Sequence, residues 1–93
     1  MILNFGNKEN YKIWQGEISL KLPIEIQEIA RRKLRMINRS QNILDLSIPP
    51  SNHLEKLKGK LGGYYSIRVN NKWRIIFLWI NEHAEEVEII DYH

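Results

Sequence analysis

Apolar residues along this chain change their period, and the changes outline the elements. From Pro23 to Arg39, Ile26, Ile29, Ala30, Leu34 and Ile37 recur at spacings of three and four, which predicts one face of a helix. Pro23 suits a first helical turn, where its missing N–H costs nothing. The opposite face carries Glu25 and Glu28 early and Arg31, Arg32, Arg35 and Arg39 late, the order that the helix dipole favours. Ahead of this helix, Met1 to Phe5 reads as a short strand and Lys8 to Trp14 as a short helix closed by Gly16. Near the other end, Tyr64 to Val69, Trp73 to Ile80 and Glu86 to Asp91 read as three consecutive antiparallel strands. They are joined by Asn70 to Lys72 and by residues 81–85.

The middle of the chain is less regular. Ser40 to Asn52 is rich in turn formers, with Ile43, Leu44 and Leu46 able to pin a turn onto the core and Pro49-Pro50 stiffening an extended connection. Residues 53–61 place Lys56, Lys58 and Lys60 between Leu54, Leu57 and Leu61, and Gly62-Gly63 frees the backbone before the next strand. Side-chain alternation fixes the register expected of the first hairpin. A three-residue loop from Asn70 to Lys72 pairs Val69 with Trp73, Ile67 with Ile75 and Tyr65 with Phe77, giving one continuous apolar face for the helices to cover. The same register sets Arg68 opposite Arg74 on the other face, beside Ser66 and Tyr64. Like charges across a ladder repel, so something anionic is expected there.

Ninety-three residues make one domain, 1–93, and 43% hydrophobic content with nine aromatics suffices for one core. The absence of cysteine removes disulfides, thiolate metal sites and thiol nucleophiles. The N-terminal residues lack a basic segment leading into an apolar one, and no run approaches the ~20 apolar residues of a membrane span. A cytoplasmic chain with no membrane partner is expected. The net charge of +3 conceals a strong asymmetry: residues 1–30 carry three basic and four acidic groups, residues 31–74 eleven and two, and residues 75–93 none and five. A central block this basic suits a polyanion. A solvated helix face accounts for Arg31, Arg32 and Arg35, but not for Arg68 and Arg74, which lie in strand-forming sequence.

Neither a phosphate-binding Gly-rich loop followed by Lys-Ser/Thr nor a Gly-x-Ser-x-Gly elbow is present. His53, His83 and the acids Glu82, Glu85, Glu86, Glu88 and Asp91 match no ligand spacing, so neither metal nor cofactor is expected. Glu85, Glu86 and Glu88 read as a charged turn and a polar strand edge. What remains is Lys58, Arg68 with Arg74, and Tyr92 with His93. RNA is cut without a metal when a base takes the 2′-hydroxyl proton, cations stabilise the pentavalent phosphorus and an acid protonates the leaving 5′-oxygen. Histidine serves either proton-transfer role, though chain physics equally allows His93 to be a frayed end.

Four stretches taken together resemble the HigB toxins of the RelE/ParE superfamily: Pro49-Pro50; Leu57-Lys58-Gly59; Tyr65 to Asn70 with Trp73-Arg74-Ile75; and Val87 to His93, ending Asp-Tyr-His. The resemblance spans nearly the whole chain. It implies an α+β, RelE-like fold, in which an N-terminal strand and a three-strand C-terminal meander form a small antiparallel sheet packed on one face by two N-terminal helices. It further implies a bacterial toxin that cuts messenger RNA in the ribosomal A site without a metal. The implied partners are the ribosome, its mRNA and a HigA-like helix-turn-helix antitoxin, with operator DNA reached only through the antitoxin complex. By motif, Lys58 would contact the reacting phosphate, Arg74 stabilise its charge, Tyr92 stack on or orient a nucleotide, and His93 transfer protons. Lys56, Lys60, Arg68, Asn70 and Asp91 are the candidate RNA contacts around them. The chain departs from some relatives in reading Glu55-Lys56-Leu57-Lys58-Gly59 where they read His-Pro-Leu-Lys-Gly, and in carrying Asn70 where some have arginine. Two other classes stay open: a ParE-like toxin that inhibits DNA gyrase, and a non-catalytic partner in an antitoxin repressor complex.

Overall fold

Two helices and a four-stranded antiparallel sheet form the protein, seen in a computed structural model that describes residues 1–92. Helix α1 spans Lys8–Trp14 and α2 spans Ile24–Arg39. The strands are β1 (Glu55–Lys56), β2 (Tyr64–Arg68), β3 (Trp73–Ile80) and β4 (His83–Asp91), in the order β1-β2-β3-β4. Asn7 caps α1 by accepting the Asn10 N–H at 2.9 Å. Pro23 stands just outside α2 as its N-cap, one position earlier than the pattern suggests, because its ψ of 132° is extended.

The expected helix face is the buried one: Ile26, Ala30, Leu34 and Ile37 of α2 pack on Ile67, Ile75, Phe77, Val87 and Ile89 of the sheet. The hairpin register is also as expected, with Ile67 opposite Ile75, Tyr65 opposite Phe77 and Arg68 opposite Arg74. The Val69 N–H closes the loop on the Trp73 carbonyl at 2.9 Å. Arg31 and Arg32 are more than a solvated face. Arg31 donates to the Ile13 carbonyl at 2.8 Å and the Glu17 carbonyl at 3.1 Å, tying α2 to the end of α1, and Arg32 lines a cleft described below.

The sheet differs from expectation at both edges. Its fourth strand is β1, a two-residue segment of the lysine-rich stretch. The N-terminal residues instead lie parallel to β4 through two isolated bridges, Ile2 with Ala84 and Phe5 with Val87. The Leu3 and Gly6 N–H groups donate to the Ala84 and Val87 carbonyls at 2.8 and 2.9 Å, so this segment covers an edge that would otherwise be bare. Strand β4 begins at His83 rather than Glu86, because a turn with positive φ at Asn81 and Glu82 replaces the five-residue loop. One extra residue in β4 opposite Phe77, with Glu86 at φ 54°, reverses the alternation. Ala84 before it and Val87 and Ile89 after it therefore all face the core, a parity no unbroken strand could supply.

Asn10 connects this framework to the end of the chain. It is 1% exposed, and its side-chain oxygen accepts the Ile89 N–H at 3.1 Å. Asn10→Ala leaves that buried amide without a partner and is expected to cost about 1–3 kcal/mol, read as a lower urea midpoint with an unchanged slope.

Candidate active site

The face of the sheet turned away from the helices carries Ser66, Arg74, Ile76 and Ile90, and Glu55 joins it because it pairs with Ser66. Arg74 is the centre of this face. Its Nη1 donates to the Ser66 hydroxyl at 2.7 Å and to the His53 carbonyl at 3.4 Å, and its Nη2 meets Glu55 Oε1 at 3.2 Å. The ring of Tyr92 lies over the guanidinium, 5.6 Å from carbon to centroid. Ser66 is fully buried and the Arg74 side chain is only 14% exposed, whereas Glu55 is 52% exposed. The guanidinium is thus held from the protein side, and the groups at its open side are a carboxylate and an aromatic ring.

Strand geometry explains how distant segments reach this point. Ser66 and Arg74 share a face because both lie an even number of residues from the cross-strand pair Arg68–Arg74. Tyr92 returns to the same face two residues beyond Ile90, and its N–H donates to the Lys72 carbonyl at 2.7 Å, which anchors the tail to the first hairpin loop. The anion expected near Arg68 and Arg74 is Glu55, supplied from within the chain. Arg68 turns away, donating to the Asn70 carbonyl at 3.2 Å and to the Asn71 side-chain oxygen.

The remaining candidates are spread around this centre. Lys58 is exposed and precedes Gly59, whose φ of 71° lies in the left-handed region that favours glycine; its ammonium makes no hydrogen bond or ion pair among the described residues. Lys60 lies in the short 3-10 turn Gly59–Leu61 and is also exposed. Lys56 pairs with Tyr65 and projects to the helix side of the sheet, with its ammonium 6.0 Å from the Tyr65 ring centroid. Asp91 pairs with Trp73 and so also stands on the side opposite Arg74. The Asn70 side-chain oxygen accepts the Lys72 and Trp73 N–H groups at 2.9 and 2.8 Å, which shapes the hairpin loop. His93 lies outside the described residues. The sequence patterns missed Glu55 and Ser66, although their signal was present: a lone acid in a basic block, and a small polar residue two positions before Arg68.

Tyr64 stands on the Arg74 face with its hydroxyl 3.5 Å from Glu86 Oε2. Burial, then the charges of Glu86 and Glu88, raise its pKa, so the phenol remains a proton-bearing donor at neutral pH. Among the described residues no three His, Asp or Glu side chains gather as a metal-binding group, and no helix is long and apolar enough to cross a membrane.

With this geometry in view, comparison with known proteins identifies the family. Residues 3–93 match the model of the RelE-like toxin of the type II toxin-antitoxin system HigB. The chain belongs to the HigB-like toxin family. It is 38% identical over 82 residues to Toxin HigB-1 of Vibrio cholerae, covering 87% of this chain and 86% of that one. It is 30% identical over 93 residues to Endoribonuclease HigB of Proteus vulgaris, covering both chains fully. An uncharacterised Haemophilus influenzae protein is 41% identical over 85 residues, covering 90% of this chain and 84% of its own. The fold matches toxin chains in two structures of the YoeB-YefM toxin-antitoxin complex from Staphylococcus aureus. Those matches have TM-scores of 0.61 and 0.62 at 23% identity, over all of this chain and 98% of each of those. The family and the α+β RelE-like fold implied by the Asp-Tyr-His tail and its companion motifs are therefore both established.

Proposed function

We propose that this HigB-family toxin is an endoribonuclease that cuts messenger RNA on the translating ribosome, by attack of the ribose 2′-oxygen on the adjoining phosphate and without a metal. The observation that carries the reading is the Arg74 cluster, a guanidinium fixed by Ser66 and Glu55 and roofed by Tyr92. A guanidinium supplies paired donors to phosphate oxygens; here a phosphate would take the place of Glu55 on Nη2 while Ser66 and the His53 carbonyl keep the group oriented through Nη1, so that little reorganisation is needed as charge builds on phosphorus. Tyr92 offers a stacking surface for a base. Lys58, exposed and unpaired among the described residues, can swing to a phosphate. His93 then moves a proton to or from the reacting oxygens.

Glu55 sharpens this picture, because it occupies the position where some relatives carry histidine. Its half-exposed carboxylate orients the Arg74 fork and is the group that an incoming phosphate meets first. An exposed pair of this kind contributes only about 0–1 kcal/mol to stability, so its value lies in geometry. The relative named Endoribonuclease HigB supports the activity, and the toxin-antitoxin complexes among the structural neighbours support an antitoxin partner, here of HigA-like helix-turn-helix type. The chemistry favours this reading over gyrase inhibition, which has no use for a phosphate-ready guanidinium beneath a tyrosine ring.

Primer-extension mapping on programmed ribosomes tests it. Wild-type protein should give discrete cuts within the A-site codon, and His93→Ala should slow cutting by about 10²–10⁴-fold, the usual range for loss of a general acid or base. Intact message with wild type, or full activity in His93→Ala, would refute the respective part.

A further inference from the structure

A cleft of about 520 Å³ opens between α2, the segment from Pro49 to His53, and the end of β2. Its walls carry Arg32 and Lys33 from α2, His53, and Arg68 from β2, and no Asp or Glu lines it. The ion pairs among the described residues are Lys12–Glu9, Arg31–Glu28 and Arg74–Glu55, so Arg32, Lys33 and Arg68 have no acid paired with them there. Lys33 is half-buried and its ammonium is held by the Asn52 side-chain oxygen. Asn52 is itself fully buried and anchored to the Leu46 carbonyl at 3.1 Å. Burial, then the charge of Arg32, lowers the Lys33 pKa, and an anion in the cleft would offset both effects.

Ile29, Met36, Pro49 and Val69 make an apolar floor, and Ser51 and Asn70 complete the wall. Cations beside an apolar floor fit a nucleotide, its phosphate at the rim and its base on the floor. An acidic peptide would satisfy the charge equally well; continuity with the Arg74 cluster favours RNA. Arg68 stands directly across the ladder from Arg74, where paired Cα atoms are about 5 Å apart. His53 belongs to both places, because it lines the cleft while its carbonyl accepts from Arg74 Nη1.

We infer that the cleft is a second nucleotide subsite, holding an unstacked nucleotide of the same RNA strand beside the one that is cut. Arg32, Lys33 and Arg68 take its phosphate, and Met36 and Pro49 take its base. The inference rests on the nuclease reading above and adds the site that sets the register of the strand.

Two measurements test it, using the full chain. The first is NMR titration with a single-stranded tetranucleotide of 2′-O-methyl riboses, which cannot be cut. Amide shifts at Arg32, Lys33, Val69 and Asn70 are expected. Arg32→Glu, at an exposed position, should weaken binding about tenfold or more and lower the salt slope by about one. Unchanged affinity, or shifts confined to other residues, would overturn the inference. The second is cutting on programmed ribosomes, where Arg32→Glu should raise KM severalfold with kcat within about twofold of wild type. His53→Asn should do the same while preserving the backbone, because asparagine accepts the φ of 47° found at His53. An unchanged KM in both variants overturns the subsite while leaving the nuclease reading intact. Absence of cutting by wild type instead removes the nuclease reading. Loss of antitoxin binding in Arg32→Glu, with RNA affinity unaltered, would assign the cleft to the protein partner and overturn the inference.

Discussion

Replacing Arg74 with alanine is expected to slow message cutting by about 10²–10³-fold, the loss typical of removing one pre-oriented donor from a site that stabilises developing charge. Arg74→Lys should recover less than about a tenth of the lost rate, because an ammonium is a point charge without the fork that binds two phosphate oxygens at once. The comparison separates charge from geometry, since both variants differ from wild type in the contacts to Ser66 and Glu55. Ser66 is fully buried, so Arg74→Ala also leaves its hydroxyl without this donor, at about 1–3 kcal/mol of stability. Rates should therefore be compared well below the melting transition of the variant, with circular dichroism confirming the fold. Near-normal cutting by Arg74→Ala under those conditions would remove the guanidinium from the chemistry.

The largest expected change in stability belongs to Phe77→Ala. Phe77 is fully buried at the centre of β3, stacked on Tyr65 at 6.3 Å and edge-on to Trp79 at 6.3 Å, and it faces the point where β4 carries its extra residue. Truncating a buried phenylalanine costs about 3–5 kcal/mol, partly through lost transfer energy and partly through the cavity left behind. A chain of this length has roughly 5–14 kcal/mol of total stability at 0.05–0.15 kcal/mol per residue. The variant should therefore melt lower by about 12–40 °C at 4–8 °C per kcal/mol, or fail to fold. Phe77→Leu keeps most of the volume and should lose less than about 1.5 kcal/mol, with cutting per folded molecule unchanged. A melting temperature for Phe77→Ala within a few degrees of wild type would show that the sheet repacks around the gap.

The parts of the fold legible in advance are those governed by local periodicity. The α2 face from Ile26 to Ile37 and the Ile67–Ile75 register follow from side-chain spacing, because a one-residue slip would turn buried residues to water. The site was legible only in pieces. Arg74 and Tyr92 are visible through motif and parity, whereas Glu55 is obscured by a departure from the pattern of relatives, and parity places Ser66 on the face of Arg74 without showing that it holds the guanidinium. Lys56 and Asp91 belong to the same stretches as site residues, yet strand alternation sends both to the opposite side of the sheet.

By itself the sequence determined the two helices, the three C-terminal strands apart from the start of the last, the first hairpin and the family, since each depends on near neighbours or on the order of short motifs. Only the tertiary structure decided which edge carries β1, that the N-terminal residues lie parallel along β4, and that an extra residue at Glu86 turns both halves of β4 inward. These features depend on pairing between segments far apart in the chain, whose energies are small individually and are settled by the shape of the core they share. The same long-range pairing brings Glu55, Ser66, Arg74 and Tyr92 to one guanidinium-centred point.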